Sequence, residues 1–327
     1  MKQNITIARL AEPLKLNSGQ NLPRILPGPM EGLMHPVFCL AASRLKLLDV
    51  WMTPFLRISN AVPRYGKICQ FLEPFTDSGL PVILQLMGTC PDLLAETAGL
   101  YQQFNLAGIN LNFACPSRQV VRSNAGGWML QRPELMLKMV GIIKTACPEL
   151  SLSVKLRSGF ADWREMNNFI PELAQSGNLD FIAVHFRTVE EAYLPVEGGR
   201  ERMTRAVQLA GNIPVIASGD IFSVDDALKM VCDSGSAGIM AARGLLKDPF
   251  LIRRIQAAAS GETRLDDLEH NRALLFNTLL QVARENPERY WSRPKFVEFA
   301  NFIWGRNHSV FEKIKTLSND ELFHFQI

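Results

Sequence analysis

Long apolar runs are absent from this 327-residue sequence, and no stretch reaches the length needed to cross a bilayer. The opening residues, MKQNITIARLAEPLKLNSGQNLPR, lack the apolar segment of a secretion signal. Both absences argue for a cytoplasmic protein without a membrane partner. Paired cysteines are missing as well. The six cysteines stand at 39, 69, 90, 115, 147 and 232, and none forms a CxxC pair. That spacing offers no zinc knuckle and fits reduced thiols better than a disulfide framework, so no metal is expected. A strong charge imbalance is also lacking, since 35 Lys and Arg face 32 Asp and Glu for a net +3. Such a balance permits a polyanionic partner without arguing for one. The 22 Gly and 19 Pro follow no period, which excludes collagen-like and low-complexity chains.

What is present is a rhythm. Short β-branched or apolar runs occur at 25–29, 50–55, 82–87, 108–113, 152–156, 181–185, 214–218 and 237–241. Helical patterns separate most of them, at 35–47, 91–104, 133–146, 164–176, 202–210 and 223–233; the connection over 56–81 is less clearly helical. Strands alternating with helices imply parallel βαβ units, and eight of them match a (β/α)8 TIM barrel. A doubly wound open sheet is the competitor, but no GxGxxG turn follows the first strand. Residues 1–24 read as an N-terminal extension or edge segment, and 25–250 as the barrel. From 251 to 327 the text turns helical, at 249–259, 265–284, 287–304, 309–316 and 319–325, and predicts a small all-helical domain.

In a TIM barrel the active site is built from the loops at the C-terminal strand ends. The residues at or leading into those positions are Pro29 to Gly32, Gln85, Asn110 to Ser117, Ser153 to Arg157, His185 to Thr188, Ser218-Gly219-Asp220 and Ala242-Arg243-Gly244. Loops after strands seven and eight often hold phosphate, and Gly219, Gly244 and Arg243 suit that task. The same glycines equally suit tight turns. Lys155 stands in apolar text, where a lysine needs a partner or a ligand. His185, at the end of strand six, can donate to a carbonyl. Cys115 follows strand four directly, and a thiol of ordinary pKa near ~8.5 is protonated and able to donate at neutral pH.

These residues resemble, in their order, the tRNA-dihydrouridine synthases. The matching pieces are PMEG at 29–32, QLMG at 85–88, NFACPS at 112–117, VKLR at 154–157, VHFRT at 184–188, PVIASGDI at 214–221 and ARG at 242–244. The resemblance covers most of the chain and implies a bacterial, FMN-dependent enzyme reduced by NADPH. It implies an FMN phosphate on Gly219, Asp220 and Arg243 with Ser218 alongside, Ala242 in the same cofactor site, and Pro29, Met30 and Glu31 behind the ring system. Gln85, Lys155 and His185 would bond the pyrimidine edge. Hydride would reach C6 of a flipped uridine and Cys115 would protonate C5, with Asn112 orienting the base. Arg57, Arg157, Tyr193, Arg293 and Lys295 would meet substrate or tRNA, and the 251–327 helices would recognise the tRNA. A monomer is expected.

The sequence departs from the family pattern at Ala114, Arg118, Phe186, Ser218 and Ala242, and Trp128 and Met129 replace small residues. Phe186 and Trp128 would narrow the pocket or change its substrate. Two other readings stand beside the first: a dihydroorotate-type FMN oxidoreductase of a small molecule, and a flavin-less RNA-binding relative.

Overall fold

The computed structural model describes residues 7–104, 106–262 and 267–327. Its frame is eight parallel strands: β1 (Ile25–Pro27), β2 (Trp51–Met52), β3 (Val82–Gly88), β4 (Gly108–Phe113), β5 (Leu152–Arg157), β6 (Phe181–His185), β7 (Val215–Ser218) and β8 (Gly238–Ala241). Hydrogen-bonded neighbours run β1-β8-β7-β6-β5-β4-β3-β2, so β1 and β2 meet as the two ends of a nearly closed barrel. Helices α1 (Pro36–Arg44), α2 (Tyr65–Thr76), α3 (Pro91–Tyr101), α4 (Pro133–Ala146), α5 (Ile170–Gln175), α6 (Gly199–Ala210), α7 (Val224–Ser234) and α8 (Leu251–Ala259) follow the strands in turn. The TIM barrel expected from the strand rhythm is therefore the fold. No helix among the described residues is long and apolar enough to cross a membrane.

Local differences from the expected elements have physical causes. β2 stops at Met52 because Pro54 has no N–H for a ladder. Thr53 bridges the break: its N–H donates to the Ile83 carbonyl, and its Oγ1 accepts from the Gln85 N–H at 3.0 Å. Beyond the proline, Leu56–Ile58 pairs with the distal end of β3. Helix α8, placed from sequence in the helical segment, packs on α7 and β1 and completes the eighth βα unit. After it come α9 (Leu268–Glu285), α10 (Arg293–Trp304), α11 (Ser309–Thr316) and α12 (Asn319–His324). Residues 265 and 266 of the expected 265–284 helix lie outside the described residues, as do 1–6. The expected 287–304 helix is broken at Trp291 and Ser292, since the ring of Pro294 would clash with the carbonyl four residues back. Helix α9 packs on α1, and Phe38 of α1 stacks on Phe299 of α10 with ring centroids 6.3 Å apart.

Strand side chains alternate between two environments. Ile109, Leu111, Val154, Leu156, Ile182 and Val184 point outward into the helix layer, where they join the main core cluster. The intervening residues face the barrel interior. Among these, Leu26, Met52, Ile83, Phe181, Ile216 and Met240 form a second apolar cluster with Leu14, Leu16 and Leu22. Those three leucines come from a hairpin, Leu14–Lys15 paired with Asn21–Leu22, that lies across the N-terminal mouth of the barrel. The Asn17 N–H donates to Asp180 Oδ1, while Asp180 Oδ2 accepts from Ser151 Oγ and the Leu152 N–H, both at 3.0 Å. The stretch before residue 25 thus floors the barrel and leaves the opposite end open. Leu22 is 2% exposed, so Leu22→Ala is expected to cost about 2–5 kcal/mol in urea unfolding; a loss below about 1 kcal/mol would show that the floor is not integral to the fold.

Candidate active site

A cavity of about 310 Å³ opens at the C-terminal ends of the strands, at the lower end of the roughly 300–1,000 Å³ range of small-molecule sites. Every residue expected to be catalytic or cofactor-binding lines it, together with Arg157 and Tyr193. Arg57, Arg293 and Lys295 stand outside the lining. Among the described residues, no group of three or more His, Cys, Asp or Glu is placed to hold a metal ion.

Strand alternation puts Gln85, Asn112, Lys155 and His185 on the inner face above the apolar floor. No hydrogen bond or ion pair to Lys155 Nζ forms among the described residues. Burial lowers its pKa to about 8, with the nearby Arg157 charge adding to the effect and Cys115 opposing it. His185 is 8% exposed, and its Nδ1 accepts from the Arg187 N–H at 3.2 Å. Burial, then the charges of Arg157, Lys155, Arg187 and Arg243, hold its pKa well below the ordinary value. The ring is neutral at pH 7 with its proton on Nε2. Glu31, at the rim, has its carboxyl pKa raised by burial.

Cys115 sits in the loop after β4, held from three sides. Asn112 Oδ1 accepts from the Ala114 and Cys115 N–H groups, each at 3.0 Å. The Cys115 carbonyl accepts from the Gly127 N–H at 2.9 Å. Gly126 has φ +57°, and a Cβ there would lie 2.7 Å from Val120 Cγ1; one at Gly127 would lie 2.5 Å from Val189 Cγ2 and 3.0 Å from the Cys115 carbonyl, so both positions favour glycine. Burial raises the thiol pKa, and the Ser117 N–H, Lys155 and Arg157 only partly oppose it. The sulfur is therefore a thiol at neutral pH. Asn112, expected to orient a base, lines the cavity and uses its Oδ1 to anchor the backbone that carries the thiol.

Arg157 was expected to meet substrate or tRNA, but it is 3% exposed. Its Nε donates to the Ala114 carbonyl at 2.8 Å, and its Nη1 to the carbonyls of Thr188 and Ala192 at 2.7 and 2.8 Å. It clamps the cysteine loop to the loop after β6. Tyr193 tops that second loop, 58% exposed, with Arg243 4.8 Å and Arg157 5.6 Å from its ring centroid. Arg293 is turned onto the carbonyls of Leu317 and Lys315, both at 2.9 Å. Lys295 donates to the Gly32 carbonyl at 3.0 Å and pairs with Glu298. Arg57 is exposed.

At the ends of β7 and β8, Asp220 is paired with Arg187 at 2.5 Å and with Arg243 at 3.3 Å. Two guanidinium groups around one carboxylate leave a net positive charge. Gly219 has φ +126°, and a Cβ there would meet the Phe186 ring at 2.3 Å, so no other residue fits. A Cβ on Gly244 would lie 2.1 Å from the Ile221 carbonyl. These glycines let loops pack, the plainer of the two roles their type allows. Phe186 lies beneath Gly219, and Trp128 packs against the main core near Arg132. Neither lines the cavity, so the two bulky replacements do not plug it. Phe55, Phe222 and Phe302 do line it, and the sequence reading missed them. Phe302 arrives from α10, distant in sequence from any strand end.

Comparison with known proteins decides what this cavity belongs to. The model of the dihydrouridine synthase family matches residues 26–289. The chain belongs to that family. Similar relatives include the tRNA-dihydrouridine(16) synthases of Pseudomonas syringae pv. tomato (32% identical, covering 73% of this chain and 76% of that one) and Haemophilus influenzae (28%, 91% and 97%). Among solved structures, a 2-naphthoyl-CoA reductase complex superposes with TM-score 0.61 at 10% identity, over 78% of this chain and 53% of that one. The old yellow enzyme of Trypanosoma cruzi does so with TM-score 0.55 at 10% identity, over 77% and 93%. At such identities the likeness is one of fold.

The donor set of this dihydrouridine synthase family member fits the flavin expected from its sequence. Lys155 and the His185 Nε2–H are donors, and Gln85 Oε1 keeps an accepting lone pair beside its bond from Asn112 Nδ2 at 2.7 Å. Two donors and an acceptor match the carbonyl–imide–carbonyl edge of a flavin pyrimidine. The net positive charge at Arg187, Asp220 and Arg243 suits a phosphate. Because the thiol pKa is raised, iodoacetamide should alkylate Cys115 more slowly than free cysteine at pH 7, with the rate still climbing above pH 9. Peptide mass spectrometry reads this, and a rate that levels off below pH 8 would contradict the protonated thiol.

Proposed function

We infer that this protein reduces uridine to 5,6-dihydrouridine in tRNA, at position 16, with FMN as bound cofactor and NADPH as reductant. The observation that carries the reading is one cavity faced by a protonated thiol, Cys115, and by the Gln85, Lys155 and His185 set that matches a flavin edge. The position follows the relatives named for it.

When bound, the flavin supplies hydride for C6 of the uracil. Lys155 and His185 would donate to its pyrimidine edge, where the lysine charge would favour electron density. Ser218, Gly219 and Arg243, with the Asp220 carboxylate turned onto Arg187, would hold the phosphate end beside Ala242, and the Pro29–Glu31 turn would back the ring. Cys115 holds its proton at Sγ and delivers it to C5 as general acid. Asn112 and Arg157 keep that sulfur in place through the backbone on both sides of Ala114. Phe55, Phe222 and Phe302 exclude water and offer apolar faces to a flipped base.

Tyr193, at the mouth, and Arg57, on the barrel surface, meet the RNA. Arg293 and Lys295 reach a phosphate only by leaving their present carbonyl partners. Helices α9–α12 form the platform that recognises tRNA.

FMN-loaded protein given NADPH and unmodified tRNA should yield dihydrouridine at position 16, read by mass spectrometry of nuclease fragments. Cys115→Ala should slow oxidation of the reduced enzyme by tRNA about 10²–10⁴-fold and leave reduction by NADPH unchanged. Dihydrouridine formed at full rate by that variant would refute the proton-donor role, and a wild-type protein that makes none would refute the reading as a whole.

A further inference from the structure

Inside the barrel, between the apolar floor and the cavity, three polar residues stand in register on adjacent strands. Gln85 of β3 is opposite Asn110 of β4, and Asn110 is opposite Ser153 of β5. All three are 0–1% exposed. The Gln85 Nε2 donates to Asn110 Oδ1 at 2.7 Å, Asn110 Nδ2 to Ser153 Oγ at 2.9 Å, and Ser153 Oγ to the Ile109 carbonyl at 3.3 Å. On the other side, Asn112 Nδ2 donates to Gln85 Oε1, and Asn112 Oδ1 accepts the Ala114 and Cys115 N–H groups. The result is an unbroken chain in which every group donates in one direction, from the cysteine loop to the start of β4.

That direction is forced. Backbone N–H groups only donate, so Asn112 must turn Oδ1 to them and Nδ2 to Gln85. Gln85 must then offer Oε1 to Asn112 and Nε2 to Asn110. Reversing Asn110 would set two N–H groups against each other in a fully buried site, a loss of a buried hydrogen bond at full desolvation cost. Such chains strengthen cooperatively, and a half-satisfied one is worse than none. We propose that Asn110 is a positioning residue for the proton donor: through Gln85 and Asn112 it fixes the backbone at Cys115, and so the place of the thiol over the substrate. Its consequence for turnover rests on the uridine-reduction reading; the chain of bonds does not.

Asn110→Leu removes both links at similar volume. Measured on the flavin-loaded enzyme, it should slow single-turnover oxidation by tRNA about 10–100-fold, the scale of a displacement of about 1 Å at a reacting group, with little change in KM for tRNA. In a Cys115→Ala background the same substitution should add less than about 2-fold, because residues acting as one unit are not additive. Asn110→Asp should recover most of the rate, since one carboxylate oxygen accepts from Gln85 and the Ser153 hydroxyl can turn to donate to the other. An equal loss in both backgrounds, or no loss, would overturn the proposal. If the leucine variant does not fold, Ser153→Ala takes its place, with a smaller expected loss that must also vanish without the thiol. Should wild-type protein reduce no uridine, that result removes the functional reading alone. The positioning role is then read from alkylation of Cys115 by iodoacetamide: a rate changed about 5-fold or more by Asn110→Leu supports it, and an unchanged rate overturns it.

Discussion

Polar side chains taken out of water inside a parallel barrel must find partners there, and the site of this protein is organised by how they find them. Below, leucines of the N-terminal hairpin seal the barrel. Above, the interior residues become polar, and each is tied to a neighbour on the next strand or left facing the cavity. Lys155 is the member left over. A half-buried ammonium with no ion pair or hydrogen bond among the described residues is costly, and under the proposed function an electron-rich ligand edge would complete it.

The cations around the cavity divide into those that build it and those that face it. Arg157 and Arg187 have their guanidinium groups on carbonyls and on Asp220, in forks that Lys cannot reproduce. They join the loops after β4, β6 and β7 into one wall. Arg243 and Lys155 point into the space that wall encloses. The cysteine belongs to the same construction, since its backbone is held by Asn112 on one side and by Arg157, through Ala114, on the other. The proton donation proposed for Cys115 needs a thiol that stays protonated and stays put; its surroundings raise its pKa, and the Asn112 and Arg157 bonds hold its backbone.

Much of this was legible in the residues. The eight strands and their helices could be counted from alternating apolar runs, and the strand-end positions pointed to Cys115, Lys155, His185 and Arg243 before any coordinates. What could not be read was which polar groups satisfy one another. Arg157 looks as available as Arg243 in a linear text, because both follow a strand, yet one is buried against three carbonyls and the other lies at the rim. Phe186 looked like an obstruction because its neighbour His185 faces the cavity; strand alternation turns it the other way, under Gly219. Phe302 carries no signal at all, since its approach depends on how α10 packs.

Apolar runs alternating with helical patterns, and the chemistry at the run ends, are local properties of the chain, so the sequence alone determined the barrel, its open end and the chemical types gathered there. The pairing of Gln85 with Asn110 and Asn112, the engagement of Arg157 and Arg293, and the seat of Phe186 depend on registers and distances between segments far apart in the chain. Those are decided only when the strands close into a ring and every buried donor must meet an acceptor.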